Sequence, residues 1–303
     1  MTAHSKLPAA LRRAGFTVAE AEASGVTYGR LRARDLSTPY TGTRIEAGTI
    51  LDTRARSLLL VRRLGDGVFV SHATAAHLWG FHLDRAEDEP IHLSVLAPRR
   101  APHAAGLRGH SLRLRNGEAI ARFGVPITAP IRTWLDLAAT GSSVDDLIVA
   151  GDRLLSRRAP LAEPDALVRA VAGWKGRGTR NAAAALAKLE SCADSGRETR
   201  LRAALVARGL PTPTVQHPVH DDTGELVGHA DLAFPEYLTL LEYEGDHHRT
   251  DRGQWTHDLT RFNRYQRAGW AAFRVNAGNF ASLEATLDLV EAHLRSRGWR
   301  PAA

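Results

Sequence analysis

The chain has 303 residues, 44% of them hydrophobic, which indicates two or three globular domains. Its single cysteine, Cys192, excludes an internal disulfide and a cysteine-rich zinc site. The opening MTAHSKLPAALRRAG lacks the apolar core of a signal peptide, and no run of about 18 apolar residues is present, so we expect a cytoplasmic protein without a membrane span.

Positive charge is concentrated in the first two thirds of the chain. Residues 1–190 carry 27 Lys and Arg against 18 Asp and Glu, whereas residues 191–303 carry 13 against 15. This asymmetry favours a basic nucleic-acid-binding part joined to an acidic metal-binding part. An arginine-rich composition inherited from a high-GC genome accounts for much of the same excess, so charge alone decides nothing.

Residues 1–50 have the pattern of a helix-turn-helix or winged-helix-like DNA-binding unit. Thr17 is a suitable N-cap for a helix over Val18–Ser24, and Thr27 for a second helix over Tyr28–Asp35. A possible wing, Ser37–Ile45, follows. The second helix would present three basic residues to DNA: Arg30, Arg32 and Arg34. The alternative is an arginine-rich surface helix on a docking domain.

Residues 51–190 predict a mixed α/β middle region that ends in a helical linker. Ser71 is a suitable N-cap for a helix over His72–Trp79, and Ile91–Leu96 alternates as a strand. Further helices are predicted over Ile131–Ala139 and over Pro164–Leu189, the latter interrupted by its glycines. We interpret the histidines and tryptophans of this region as packing residues: His72, His77, Trp79 and Trp134.

Residues 191–303 predict a third domain with a mixed sheet flanked by helices. The predicted elements are, in order, a helix over Arg197–Arg208, strands over Thr214–His220, Gly228–Phe234 and Leu238–Glu244, a helix over Asp251–Ala268, a strand over Trp270–Val275 and a helix over Leu283–Arg297.

The segment Asp231–Arg249, DLAFPEYLTLLEYEGDHHR, carries the strongest chemical signal of the chain. Because side chains alternate along a strand, Leu241 and Tyr243 face a core while Glu242 and Glu244 point to the other side. Carboxylates crowded on one face repel each other unless a cation or a proton neutralises them, and Mg²⁺ takes oxygen ligands. A metal-dependent phosphodiesterase site is one interpretation, and a solvated hairpin with an acidic edge is the other.

The C-terminal pattern resembles the PD-(D/E)xK nuclease superfamily, and within it the very-short-patch-repair endonucleases. The resemblance is carried by SGRETRLR, HADLAFP, LEYEGDHH and WTHDLTRFNRYQRAGWAAFRV, which occur in the order typical of that group and cover roughly residues 191–290. It implies a restriction-endonuclease-like α/β fold. It also implies hydrolysis of a DNA phosphodiester with Mg²⁺ or Mn²⁺ as cofactor.

The resemblance also implies a role for each matching residue. Asp231 and Glu242 would be metal ligands, and Glu198 would bind the metal directly or through water, although it also suits the first turn of a helix dipole. Glu244 stands where the superfamily usually has a catalytic lysine, and it would act as a base or a further ligand. His248, beside His247, would transfer a proton. Two arginines would contact DNA phosphates: Arg249 and Arg252.

Two functions therefore remain open from the sequence. The first is a metal-dependent DNA endonuclease with an N-terminal DNA-binding module. The second is an inactive DNA-binding regulator on a nuclease fold, which the missing lysine favours. Residues 1–190 are similar to antitoxins of type IV abortive-infection systems through SHATAAHLWGF and GVPITAPIRTWLDLA, which implies a possible cognate toxin as partner besides DNA.

Overall fold

Eleven α-helices and three β-sheets make up the part of the chain that the structure describes, so the protein is of the mixed α/β class. The computed structural model describes residues 6–11, 15–83, 89–190, 196–244, 252–276 and 283–301, and for Glu244 and residues 252–259 it describes the backbone alone. None of the described helices is long and apolar enough to cross a lipid bilayer.

The chain divides into two compact units, and each unit is built from two separate segments of the sequence. The first contains Met1–Ser143 and Pro164–Ala183, and the second contains Val144–Glu163 and Ala184–Ala303. The helix Val144–Leu154 therefore packs with the C-terminal elements, although the sequence prediction placed it in the middle region. The three-part division predicted from the sequence stays a prediction.

The first unit contains two sheets. Its helices are α1 (Val18–Ala23), α2 (Tyr28–Leu31), α3 (Thr53–Leu64), α4 (His72–Trp79), α5 (Pro130–Ala139) and α7 (Pro164–Ala172). Helix α6 (Val144–Leu154), which lies between α5 and α7 in the chain, belongs to the second unit. Its strands are β1 (Phe16–Thr17), β2 (Leu36–Ser37), β3 (Thr43–Glu46), β4 (Val68–Val70), β5 (Ile91–Leu96), β6 (Leu107–Leu112), β7 (Ala119–Arg122) and β8 (Val125–Thr128).

The N-terminal part confirms two predicted helices and shortens one of them. Thr17 caps α1, as the sequence predicts, and its capping box with Glu20 is a further finding of the structure. The helix predicted over Tyr28–Asp35 ends at Leu31 instead, because Nε of Arg44 donates a 2.7 Å hydrogen bond to the carbonyl oxygen of Leu31, which a longer helix would use itself. The strands β1, β3 and β2 form a small antiparallel sheet beside these helices.

The middle of the first unit is a five-stranded sheet in the order β6-β5-β4-β8-β7. Strands β5 and β6 are parallel, with His92 opposite Arg108 and Ser94 opposite His110. Helix α4 ends at Gly80, which adopts the left-handed conformation that suits glycine. Ser71 occupies the predicted N-cap position, but its hydroxyl contacts His72 and Ser94 rather than the helix backbone.

The second unit is built on a four-stranded mixed sheet in the order β12-β11-β10-β9. Its strands are β9 (Thr214–His220), β10 (Leu226–Phe234), β11 (Thr239–Glu244) and β12 (Ala271–Asn276), and β11 and β12 are parallel. The remaining helices are α8 (Thr179–Leu186), in which the boundary between the units falls, α9 (Gly196–Ala207), α10 (Arg252–Arg267) and α11 (Leu283–Ser296).

Each face of this sheet has its own hydrophobic core. One core joins the leucines of α9 and α11 to Leu232, Phe234 and Leu241 of the sheet. The other joins Tyr265 of α10 to Leu240 and its neighbours on the opposite face. The predicted order of three strands, a helix, a strand and a helix after α9 is therefore confirmed, whereas a specific nuclease fold remains a prediction.

Candidate functional site

The predicted site centres on a fork in the C-terminal sheet. The pairing of β10 with β11 runs from Phe234 opposite Thr239 to Leu232 opposite Leu241. Beyond that pair, within the described part of the strands, β10 continues beside β9 and β11 continues beside β12. Asp231 and Glu242 are the first residues after the last pair, one on each strand.

The carboxylates of Asp231 and Glu242 lie on neighbouring strands. Leu241 belongs to the core under α9 and α11, so its neighbour Glu242 faces the side of α10. Asp231 lies where the alternation of β10 is interrupted, because Ala230 and Ala233 both belong to the core under α10. Tyr265 of α10 lies on this side, and burial, followed by the negative charge of Glu242, raises the pKa of its hydroxyl. The alternation predicted from the sequence is confirmed for Glu242.

Asp231 closes the fork with its side chain. Its Oδ2 accepts a 2.8 Å hydrogen bond from the backbone N–H of Tyr243, and its Oδ1 accepts one of 3.2 Å from Nε2 of Gln216. The carboxylate thus takes the place of a backbone carbonyl as the acceptor for β11. These bonds fix both oxygens in position.

Glu242 lies beside a cation from α10. Its exposed fraction is 8%, and its Oε2 lies 3.6 Å from Nη2 of Arg261. The same arginine approaches Gly228 on β10, where a Cβ atom would lie 3.2 Å from Cδ of Arg261 and 2.9 Å from the hydroxyl of Tyr265. Glycine at this position leaves room for both side chains next to the carboxylates.

Glu198 lies in the first turn of α9 and is 7% exposed. Its helix packs on the sheet face opposite to that of Glu242. Among the described side chains, Glu198, Asp231 and Glu242 do not form a group whose oxygens all lie within 4.8 Å of one another. Glu198 would therefore reach an ion held by Asp231 and Glu242 only through water or after a movement of its side chain.

Several predicted residues lie outside the described part of the site. Glu244 ends β11 opposite Asn276 of β12, and its side chain is not described. His247, His248 and Arg249 lie outside the described residues, as does the side chain of Arg252, the first residue of α10. Their predicted roles stay predictions.

The three predicted DNA-contacting arginines of the first unit differ in their surroundings. Arg30 donates two hydrogen bonds to the carboxylate of Asp35, at 2.9 and 2.7 Å, and its side chain is 8% exposed. Arg32 is exposed and lies over the ring of Tyr28, and Arg34 is exposed beyond the end of α2. Arg30 thus stabilises the turn after α2, and only Arg32 and Arg34 present an open surface.

Sequence reasoning missed a cluster of three histidines in the first unit. His72, His92 and His110 are the described residues whose possible ligand atoms all lie within 4.8 Å of one another. The sequence analysis interpreted His72 as a packing residue, and its burial agrees with that, whereas His77 on the same helix is exposed. Because the three come from three separate elements, no spacing in the sequence signals the cluster.

Comparisons with known proteins give relatives without a described function. The chain is 31% identical over 199 residues to two uncharacterized proteins of Mycobacterium tuberculosis, Rv2248 and MT2308, covering 65% of this chain and 70% of each relative. No family model matches the chain. The crystal structure of the Rv2827c protein of the same species overlaps 59% of this chain and 77% of its own, with 21% identity and a TM-score of 0.36. By its identity and coverage, the chain belongs to the family of Rv2248 and MT2308.

Proposed function

We propose that this protein is a metal-dependent phosphodiesterase that cleaves DNA at the fork of its C-terminal sheet. The observation that carries the proposal is the position of Asp231 and Glu242 on two neighbouring strands, at the point where these strands separate. Carboxylate oxygens are the donors that Mg²⁺ and Mn²⁺ take.

Asp231 and Glu242 would hold the ion, with Glu198 contributing through water. Bound there, Mg²⁺ polarises a phosphate oxygen and lowers the pKa of the attacking water. The hydrogen bond from Tyr243 keeps Asp231 pointed into the fork. Glu244 and His248 keep the roles that the sequence implies for them, as a base or further ligand and as a proton donor.

Arg261 is suited to supply the positive charge that the catalytic lysine supplies in the nuclease superfamily that this chain resembles. Glu244 stands at the lysine position and cannot stabilise a negative phosphate. The guanidinium of Arg261 is 3.6 Å from Glu242 on the same face and its side chain is 40% exposed, so it can reach a phosphate oxygen next to the ion. A planar guanidinium binds phosphate through paired hydrogen bonds.

The exposed positive charge of the first unit supports DNA as the substrate. Arg32 and Arg34 lie exposed at the end of α2, beside a small antiparallel sheet in the place predicted for a wing. We propose that this winged-helix-like part contacts DNA phosphates, and that Arg249 and Arg252 do so near the fork. The cytoplasm is the proposed location, and a cognate toxin is a proposed further partner.

The second candidate is a DNA-binding regulator without catalysis. The ion pair of Arg261 with Glu242 favours it, because a resident cation lowers the cost of the crowded carboxylates without any metal. The two candidates differ in one respect that can be measured: only the first needs Asp231 for a metal-dependent reaction.

The test compares matched variants of the full chain. Double-stranded, mismatched and single-stranded DNA are incubated with the protein in the presence of Mg²⁺ or Mn²⁺. Asp231→Asn and Glu242→Gln are expected to lower the cleavage rate by more than ~100-fold, since losing even an outer partner of a metal ligand costs about 10- to 100-fold. Asp222→Asn and Glu236→Gln, at exposed positions in the turns that precede and follow β10, are expected to leave the rate unchanged.

Binding separates the two candidates. Asp231→Asn should bind DNA at least as tightly as the wild type, because the lost carboxylate repels phosphate rather than attracting it. Equal cleavage by wild type and Asp231→Asn would remove the site assignment. Binding without cleavage on all three kinds of DNA would favour the regulator.

A further inference from the structure

Three histidines of the first unit converge from one helix and two strands. His72 is the first residue of α4, His92 lies on β5 and His110 on the neighbouring parallel strand β6. His72 is 3% exposed, His92 is 8% exposed, and His110 is half-buried. The cluster is therefore largely internal, and His110 is its most exposed member.

The spacing of the ring nitrogens suits a shared ion. Nε2 of His110 lies 3.1 Å from Nδ1 of His92, and the three ligand atoms lie within 4.8 Å of one another. A tetrahedral ion with nitrogens at roughly 2.0–2.1 Å separates its ligand atoms by about 3.3 Å. The nitrogens of His92 and His110 are close to this separation, and the ring of His72, stacked on that of His110 at 3.7 Å between centroids, would have to turn to direct its nitrogen at the same ion.

A hydroxyl from outside the cluster holds the ring of His72. The hydroxyl of Ser71 lies 2.8 Å from Nδ1 of His72 and 2.6 Å from the hydroxyl of Ser94. A partner on the second nitrogen of a ligand histidine is characteristic of metal sites, because it sets the tautomer and orients the ring. The backbone N–H of His92 donates a 2.8 Å hydrogen bond to Oγ1 of Thr74, which ties β5 to α4 and positions the backbone of His92.

The backbone at His72 is strained. This residue has a positive φ of 51°, a region that non-glycine residues rarely adopt. Such strain persists where the surroundings impose it, and it is concentrated at functional sites. Here the strained residue carries a buried imidazole that lies against two others.

The surroundings of His72 and His110 favour the neutral imidazole that metal ligation requires. Burial, with the neighbouring histidines and arginines, lowers the pKa of His72 to about 2, and burial with Arg108 lowers that of His110 to about 4. Arg132 is the buried cation among these neighbours, and its charge is compensated by Asp136 at 2.8 Å and Glu118 at 2.7 Å. A bound cation therefore does not face an unbalanced positive charge from Arg132.

We propose that His72, His92 and His110 bind a divalent transition-metal ion of the zinc class, with a coordination position left open towards solvent beside His110. An all-imidazole donor set suits Zn²⁺, Ni²⁺ and Cu²⁺ and does not suit Mg²⁺, which takes oxygen. The site is thus chemically distinct from the carboxylates at the fork of the C-terminal sheet, and it does not depend on the function proposed for them.

The test titrates Co²⁺ into the metal-free full chain and then displaces it with Zn²⁺. One equivalent of Co²⁺ should produce the visible absorption of a four-coordinate site, and Zn²⁺ should remove it. His92→Gln and His110→Gln should each lower the affinity by at least ~10-fold, as loss of even an outer partner does. His77→Gln, an exposed histidine on the same helix, and Asp231→Asn should both bind as the wild type does.

Each result decides the proposal. Absence of binding to the folded wild type overturns it, as does undiminished binding by both histidine variants or loss of binding in Asp231→Asn. If the histidine variants do not fold, X-ray absorption of the zinc-loaded wild type decides instead. A shell of nitrogens at about 2.0–2.1 Å with imidazole scattering supports the site, and a shell of oxygens alone overturns it.

Discussion

Single buried polar residues in this protein determine how neighbouring segments meet. Asp231 closes a strand fork by accepting the N–H of Tyr243, and Arg132 joins three segments of the first unit. The guanidinium of Arg132 donates to Asp136, to Glu118 and to the carbonyl of Arg113, at distances of 2.7–2.8 Å. Because such groups lose their hydration on folding, each is stable only with its partners in place.

The stability of the first unit should depend on pH through Asp136. Burial raises the pKa of this carboxyl to about 6 from an ordinary value of 3.8, so the folded state binds the proton more tightly than the unfolded state. Its contribution is complete below about pH 4 and is lost as the pH rises through 6. Relative to Asp136→Asn, the wild type should lose roughly 3 kcal/mol in unfolding free energy across this window.

Urea unfolding of wild type and Asp136→Asn at pH 4, 5, 6 and 7 measures this difference. A difference in unfolding free energy that is the same at every pH reflects the loss of the ion pair with Arg132. Only the change of that difference with pH tests the prediction. If the difference in unfolding free energy between wild type and Asp136→Asn does not change from pH 4 to 7, the prediction of a raised pKa for Asp136 is wrong.

At the scale of elements, one buried cluster determines which unit α6 joins. Asp152 of α6 accepts hydrogen bonds from Arg202 at 2.8 Å, from Thr199 at 2.9 Å and from the backbone N–H of Glu190 at 2.7 Å. The side chains of Asp152 and Arg202 are 2% and 5% exposed. The sequence pattern of α6 is that of an ordinary amphipathic helix and gives no sign of this partner about 50 residues away.

Asp152→Ala should destabilise the second unit by about 3–5 kcal/mol, because it leaves the guanidinium of Arg202 buried without its counter-charge. Asp145→Ala, at an exposed position in the first turn of the same helix, should cost less than ~1 kcal/mol. Denaturant unfolding of the full chain compares the two variants. A loss below 1 kcal/mol for Asp152→Ala would show that α6 is held by its leucines and valines instead.

At the scale of the whole molecule, charge is distributed unevenly: the first part of the chain is basic, and the last part carries Asp231 and Glu242 at the fork of the sheet. Residues 1–190 hold 27 of the 40 basic residues, and Arg32 and Arg34 are exposed at the end of α2. Binding of DNA by such residues releases counterions, and the logarithm of the affinity then falls with the logarithm of salt concentration by about 0.9 for each phosphate contacted.

The double variant Arg32→Ala, Arg34→Ala should bind DNA more weakly and reduce this slope by about 2. Arg157→Ala, Arg158→Ala removes the same charge from an exposed loop elsewhere and serves as the control. Fluorescence anisotropy of labelled duplex DNA at several salt concentrations gives both slopes. Equal slopes for the two double variants would place the DNA contact away from α2.

Much of the secondary structure of the second unit follows from local sequence. The strand Thr214–His220 is confirmed at both ends, and the polar and apolar alternation of Glu242 and Leu241 is confirmed by their opposite faces. The helix α1 is confirmed because Thr17 and Glu20 form a capping box within four residues. In each case the residues that decide the structure are neighbours in the chain.

The sequence by itself determined the elements whose signals are local: caps, strand alternation and the acidic segment after Asp231. Tertiary structure decided the rest. Short strands such as Val68–Val70 form because two distant strands pair with them, helix α2 stops where Arg44 takes its carbonyl, and three histidines from three elements meet at one point. Contacts between residues far apart in the chain depend on chain folding as a whole, and no local spacing encodes them.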